Sequence, residues 1–201
     1  MNRSVIFAGA MLASVAATPL STAWATTLPA LEAVPTVDLK RYQGRWYQIA
    51  LYPNAFQKQC VRNTTADYQL MSNGQVIVTN TCLQADGQSS QVVGLGRIKQ
   101  PRLLYVPVGP GTPSKLEVRF APSWLSWVPG VWAPYWIIQL ADDYRYVVVG
   151  EPNRQYLWIL SRTPTLSAED RALINGRLQQ QGYDPLKLQE EPQTTGISLP
   201  G

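Results

Sequence analysis

The chain has 201 residues, with 17 Lys and Arg against 13 Asp and Glu, a formal net charge of +4 and no histidine. The missing histidine removes the usual base of a Ser or Cys triad, the usual zinc ligand and the usual haem ligand. The basic residues form no run, so nucleic acid binding has no electrostatic footprint. No catalytic residue, cofactor or metal site is expected.

In chain order, Met1-Asn2-Arg3 supplies a positive start, residues 5–17 an apolar run and Ala23-Trp24-Ala25 a small-residue cleavage site. This is the pattern of a secretory signal peptide over residues 1–25. The apolar run is too short for the roughly 20 residues of a bilayer span. Residues 26–35 read as an N-terminal extension, 36–190 as a single domain with enough chain to bury a core, and 191–201 as a flexible tail of Pro, Gly, Thr and Gln.

Short strand-like runs recur between turn signals at 46–52, 64–70, 75–82, 91–99, 115–121, 135–140, 144–150 and 156–161. The connections Ser72-Asn73-Gly74, Ala85-Asp86-Gly87, Ala141-Asp142-Asp143 and Glu151-Pro152-Asn153-Arg154 are short and turn-rich, so neighbours should pair antiparallel as a meander. A barrel closed by eight such strands is just wide enough to be filled by side chains or to hold one small ligand.

Cys60 and Cys82 are the whole thiol complement. Export places them where disulfides form and persist; the competing reading is two free buried thiols. The bridge carries a geometric condition. Bonded Cα atoms lie within about 7 Å, yet a tight hairpin at Asn73-Gly74 sets Cys60 opposite residue 87, so the bridge requires a bulge or a Cys60 off the strand.

Alternation assigns faces. Leu116, Val118 and Phe120 oppose Lys115, Glu117 and Arg119, while Ala66, Tyr68 and Leu70 oppose Thr65, Asp67 and Gln69. The two apolar sets are expected to line the interior as ligand contacts. Trp136, Ile138 and Leu140 are added to them, with Tyr135, Ile137 and Gln139 competing for the same side. Gly94 and Gly96 mark a bend or a close backbone approach.

Residues 123–136 hold four of the seven tryptophans, with prolines that oppose strand pairing. Trp124, Trp127 and Trp132 read either as a flexible lip at the barrel mouth that contacts membrane or as a lid folded inward. Trp136 begins the next strand. After the strands, Ser167 and Asp170 announce one helix, Leu173, Ile174 and Leu178 give it a narrow apolar stripe, and Gly182 closes it.

Asp38-Leu39, Arg41-Tyr42 and Gly44-Arg45-Trp46-Tyr47 resemble the G-x-W opening of the lipocalins. Asp142-Asp143-Tyr144 and the run from Tyr156 to Arg162 resemble that family's second and third motifs. The resemblance covers residues 36–190 and is nearest to bacterial lipocalins related to apolipoprotein D. It implies an all-β fold, an eight-stranded up-and-down antiparallel barrel with one C-terminal α-helix packed outside, closed at one end and open at the other. It also implies fatty acid or lysophospholipid as ligand, in the service of envelope lipid maintenance. Gly44, Trp46, Tyr144 and Arg162 are its signature positions. Trp46 and Arg162 would seal the closed end, a stacked guanidinium being worth about 0.5 to 2 kcal/mol.

Outer-membrane lipoprotein members carry a cysteine directly after the signal, where this chain has Thr26. The expectation is therefore a periplasmic or secreted protein without an acyl anchor, at most peripheral at the outer membrane, as a monomer or weak homodimer with no nucleic acid partner. Two other classes stand beside binding. One is an isomerase-type enzyme acting on an apolar substrate inside the barrel, and the other is a ligand-free envelope interaction protein with a filled barrel.

Overall fold

The computed structural model describes residues 28–103, 106–122, 125, 126, 128 and 130–194. The signal at 1–25, Trp124, Trp127 and tail residues 195–201 lie outside the described residues. The strands are β1 (Gly44–Leu51), β2 (Arg62–Leu70), β3 (Val76–Leu83), β4 (Ser89–Ile98), β5 (Arg102–Leu103), β6 (Val106–Pro107), β7 (Lys115–Arg119), β8 (Ala133–Leu140), β9 (Tyr146–Gly150), β10 (Leu157–Ser161) and β11 (Gln189–Glu190), with helices α1 (Leu39–Tyr42) and α2 (Ala168–Gln180).

Eight of these strands, β1 to β4 and β7 to β10, pair antiparallel in that order, and β10 returns to pair with β1. The sheet thereby closes into an up-and-down barrel and removes its own edges. Gly74 and Gly87 take φ near +80°, as their hairpin turns require. The turns after β2, β4, β8 and β10 lie at one end, and those after β1, β3, β7 and β9 at the other.

Each wall has two apolar faces. Val147 and Val149 of β9 join Leu160, Trp46, Ala66, Tyr68, Val76, Val78, Leu116 and Ile137 in one cluster. Tyr146 and Val148 join Leu157, Ile159, Ile49, Ala50 and Ile138 in another, together with Ile174 and Leu178 of α2. Since successive strand residues point to opposite faces, the first cluster is the barrel interior and the second is the seat of the helix. Of the expected helix stripe, Ile174 and Leu178 are buried there; Leu173 is 43 % exposed and does not belong to it. Ser167 caps α2 by accepting from the Asp170 N–H at 3.0 Å.

Two bulges create that seat. The β1–β10 register slips at Ile49, and the β8–β9 register slips at Ile138. An extra residue in one strand turns two consecutive side chains to the same side. Ile49 and Ala50 thus both face the helix, and so do Ile138 and Gln139, whose amide donates to the Ile174 carbonyl at 3.3 Å.

The bulge at Ile138 corrects the assignment of faces on β8. Trp136 packs against the helix-side cluster and Ile138 is buried within it, while Tyr135, Ile137 and Leu140 belong with the interior. Only Leu140 of the three expected residues lies inside, because the alternation changes phase in mid-strand.

Cys60 and Cys82 are bridged, with Cα atoms 5.6 Å apart. Both conditions read from the hairpin are met. Cys60 precedes β2, and the β2–β3 register shifts between Arg62 and Thr65, with Asn63 at φ 57°.

Besides the short helix α1, two features have no counterpart among the expected ones. β5 and β6 form a separate ribbon in the connector between β4 and β7, with Leu103, Val106 and Val108 more than half exposed. The other is β11, which pairs Gln189 and Glu190 with Leu51 and Ala50 where β1 and β2 have separated. Residues 191–194 continue this wedge, with the Asn63 N–H donating to the Pro192 carbonyl and the Thr194 N–H to Asn63 Oδ1. The flexible-tail expectation therefore fails for residues 191–194, because the gap between β1 and β2 leaves backbone groups that this segment satisfies.

Candidate functional site: the barrel lumen and its two ends

The floor is built by the segment before β1. Asp38 caps α1, accepting from the Lys40 N–H at 2.8 Å, and its own N–H donates to the Tyr144 hydroxyl at 2.8 Å. This short helix folds Tyr42 under the barrel, and the Tyr42 carbonyl accepts from Trp46 Nε1 at 2.9 Å. Trp46 is fully buried. Gly44 between them has φ +87°, a conformation that side-chain-bearing residues rarely adopt.

The Arg162 guanidinium stacks 3.9 Å from the centroid of the Trp46 ring and donates at 2.8 Å to the carbonyls of Arg45 and Arg41. Burial pulls its pKa below the usual arginine value. Arg41 lies 4.0 Å from the centroid of Tyr144, whose φ is 65°. Gly44, Trp46, Tyr144 and Arg162 thus form one assembly of aromatic rings, cations and backbone carbonyls that closes this end.

Above this plate, the Tyr135 hydroxyl lies 2.7 Å from that of Tyr42 and 2.8 Å from that of Tyr68. Burial pushes Tyr68 up to about 12, and Tyr42 and Tyr135 well above the ordinary tyrosine value. All three are neutral hydroxyls at physiological pH.

The inner wall around this floor is apolar. Ala66, Tyr68 and Leu116 are buried in the interior cluster, with Leu70 and Leu140 packed against it. Val118 faces Gly96 across the β4–β7 pair, and the Phe120 ring occupies the space where a side chain on Gly94 would stand, 2.6 Å from its Cβ position. The close approach expected at the two glycines is this contact. Phe120 remains 42 % exposed toward the mouth.

The open end is partly roofed by the loop between β1 and β2. Trp158 Nε1 donates to Gln57 Oε1 at 2.9 Å, Gln57 Nε2 to Gln48 Oε1 at 3.0 Å, and Gln48 Nε2 to Glu191 Oε2 at 3.4 Å. The chain ends where Thr64 donates through its hydroxyl to Glu191 Oε1 at 2.6 Å. Beside it lies a cavity of about 500 Å³ lined by Gln48, Leu51, Asn54, Gln57, Lys58 and Glu191 among others. Phe56, Tyr156 and Trp158 form an aromatic row along the rim, with centroids 5.5 and 6.0 Å apart.

Trp132 is not free at this rim. Its indole N–H donates to the Ser126 carbonyl at 3.1 Å, and its ring lies 3.8 Å from Arg97 and 5.1 Å from Arg119, which point away from the lumen. Trp136 lies 4.5 Å from the Lys115 ammonium.

Sequence reasoning missed the polar chain at the mouth. Gln48 was within reach, standing two residues from Trp46 and therefore on the same face. Gln57 and Glu191 carry no such periodic signal. The tyrosine triad was half visible: Tyr68 was assigned inward, Tyr135 stood on the competing face, and Tyr42 lay in the opening motif without a role.

A closed eight-stranded antiparallel barrel, plugged by aromatic and cationic side chains at one end and open at the other, defines a calyx-type binding protein. Residues 37–193 match the family described as Lipocalin-like domain. The chain is 33 % identical to "Temperature-induced lipocalin-1" of Arabidopsis thaliana over 165 residues, 82 % of this chain and 83 % of that protein. It is 30 % identical to "Outer membrane lipoprotein Blc" of Escherichia coli K12 over 154 residues, 77 % and 78 % of the two chains. Among solved structures, insecticyanin of the tobacco hornworm Manduca sexta superposes with a TM-score of 0.61 at 20 % identity, covering 84 % of this chain and 87 % of that one, a likeness of fold. The chain belongs to the lipocalin family, whose members bind small hydrophobic ligands.

Proposed function

We propose that this protein binds acyl-chain lipids, fatty acids or lysophospholipids, in the barrel lumen, and carries them within the cell envelope. The observation that carries the reading is the apolar inner face of the closed barrel, where Ala66, Tyr68 and Leu116 are buried with Leu70 and Leu140 packed against them. A long apolar chain gains about 0.8 kcal/mol for each methylene it buries, so a lumen of this kind selects for chain length. Binding rather than catalysis is supported by the lack of histidine and by the consumption of both thiols in a bridge, which leaves no activated nucleophile of the usual kinds.

Export is supported by the leader pattern and the disulfide, and an envelope location by the name of the Blc relative. Membrane contact through Trp124 and Trp127 rests on their density in the sequence, whereas the Trp132 ring is engaged by Arg97 and Arg119.

The test is native mass spectrometry and lipid extraction of the purified mature protein, which should yield bound fatty acid or lysophospholipid. Dodecanoate should bind the delipidated protein, and Leu116→Glu should weaken that binding by placing an uncompensated charge in an apolar wall. A folded variant that binds as well as the parent, or a parent that binds no acyl chain, would refute the reading.

A further inference from the structure

The inward-facing residues of the barrel are not buried evenly. Gly94 and Gly96 of β4 pair with Val78 and Val76, which belong to the interior cluster, so the same face of β4 carries Val92 and Ile98. Val92 is 47 % exposed, and Phe120, on the inward side just past β7, is 42 % exposed. Deeper on the same side, Val118 and Tyr135 are half-buried. On the facing wall the inward residues Val149, Leu160, Trp46, Gln48 and Ala66 are all buried. Open space inside the barrel therefore runs down the β4–β7 wall, while the wall of β9, β10, β1 and β2 is packed.

The same wall is where the sheet is unsealed. β4 begins at Ser89, but its pairing with β7 begins only at Leu95, opposite Arg119. Beyond Arg119 the chain turns away from the sheet. In 122–131 the described backbone bonds are local, from the Leu125 N–H to the Pro122 carbonyl and from the Val128 N–H to the Leu125 carbonyl. Among the described residues, Ser89 to Gly94 thus have a strand partner on one side only, which leaves an open edge. The parting of β1 from β2 is filled by β11; this one has no such wedge among the described residues. Both faces of the edge are apolar, since Val92 points in and Val93, 57 % exposed, points out. At the fork the Phe120 ring rests on Gly94, in the space a side chain there would need.

We infer that acyl chains enter and leave the lumen sideways, through the cleft between β4 and the departing end of β7, over Val93 and Val92 and past Phe120. This rests on the reading of the lumen as an acyl-chain site and adds its route. The β1–β2 side of the mouth offers no equal path. There Trp158, Gln57, Gln48, Glu191 and Thr64 are joined donor to acceptor in one chain, and an apolar chain passing between them would break hydrogen bonds. On the open edge it displaces only water from valine and phenylalanine surface. Val92 and Phe120 are thus residues of the route, distinct from the buried wall that holds the bound chain.

The experiment mixes the delipidated mature protein with cis-parinarate, a fluorescent fatty acid, in a stopped-flow instrument, and follows its release with excess dodecanoate. A residue that acts on the route alone changes the barrier equally in both directions. Val92→Glu should therefore slow association and release together, about tenfold each, with Kd within about twofold of the parent, because the passing chain strips water from the carboxylate. Phe120→Ala widens the fork and should speed both together, again at the parent's Kd. Gln155→Glu introduces the same charge in the turn before β10, across the barrel from β4, and should leave both rates unchanged.

Equal slowing by Gln155→Glu would reduce the effect to repulsion of an anionic probe and overturn the inference. So would a Val92→Glu variant in which neither rate changes, or one in which Kd rises because a single rate moves, since Val92 would then be a contact of the bound chain. If Val92→Glu does not fold, Phe120→Ala decides: unchanged rates, or a loss of affinity through release alone, overturn the route. A parent that binds no parinarate would refute the acyl-chain site itself, an outcome distinct from failure of the route.

Discussion

Removing the disulfide should lower stability by about 3 kcal/mol and loosen one side of the mouth. Cys60 and Cys82 are 22 residues apart in sequence. In the chain-entropy treatment, closing a loop of that size restricts the unfolded chain by about 3 kcal/mol at 25 °C. The native side adds a smaller amount in the double variant Cys60→Ala/Cys82→Ala, because Cys82 is 3 % exposed and its sulfur leaves a void. The bridge also anchors the loop that carries Asn54, Gln57 and Lys58, since the Cys60 N–H donates to the Gln57 carbonyl at 2.9 Å. The assay is urea unfolding followed by tryptophan fluorescence. With a slope of about 2 kcal/mol per molar for a domain of this size, the midpoint should fall by about 1.5 M at little change in slope. A midpoint within about 0.3 M of the parent would show that the β2–β3 pairing already restricts the loop in the unfolded ensemble, and the entropic argument would be wrong.

Arg162→Ala leaves the carbonyls of Arg41 and Arg45 without their donor and uncovers Trp46, so a loss of about 2 to 4 kcal/mol is expected in the same assay; a loss below about 1 kcal/mol would assign the closed end to packing alone. Asp170 is held below the usual carboxylate range by its hydrogen bonds from Arg145. A depressed carboxyl contributes stability that is full above its unfolded pKa of about 3.9 and is lost as pH falls through the lower folded value. The melting-temperature gap between the parent and Asp170→Asn should therefore be constant above about pH 5 and close progressively below pH 4, and a gap that widens in acid would reverse the sign of the argument. Glu191→Ala strands the Thr64 hydroxyl and the Gln48 amide, so hydrogen exchange at the Thr64 amide should speed up about tenfold or more, with about 1 to 3 kcal/mol lost globally; unchanged exchange would mean that the C-terminal wedge holds without this carboxylate.

Much of this molecule is legible in local chemistry. The eight strands, their antiparallel order and the C-terminal helix follow from period-two runs, turn residues and one capping serine, all of which act over a few residues of chain. The closed end was legible too, because Gly44, Trp46, Tyr144 and Arg162 stand in recognisable motifs, and the bridge was expected along with the irregularity it needed. The β7 residues Leu116 and Val118 face inward as the charges opposite them dictate.

Tertiary structure alone decided the rest. On β8 the apolar residues Tyr135, Trp136, Ile137, Ile138 and Leu140 offer both faces to apolar surroundings, so alternation assigns no side; the bulge at Ile138, set by pairing with β9 and by the helix behind it, chose Tyr135, Ile137 and Leu140 for the lumen. The segment 191–194 reads as tail because its polar side chains find their partners at Gln48, Asn63 and Thr64, where β1 and β2 part, 127 to 145 positions away in sequence. The tyrosine triad gathers residues 42, 68 and 135 from three separate stretches. Local sequence encodes local conformation, whereas the meeting of hydroxyls far apart in the chain is a property of barrel closure and exists only once the sheet has joined its own ends.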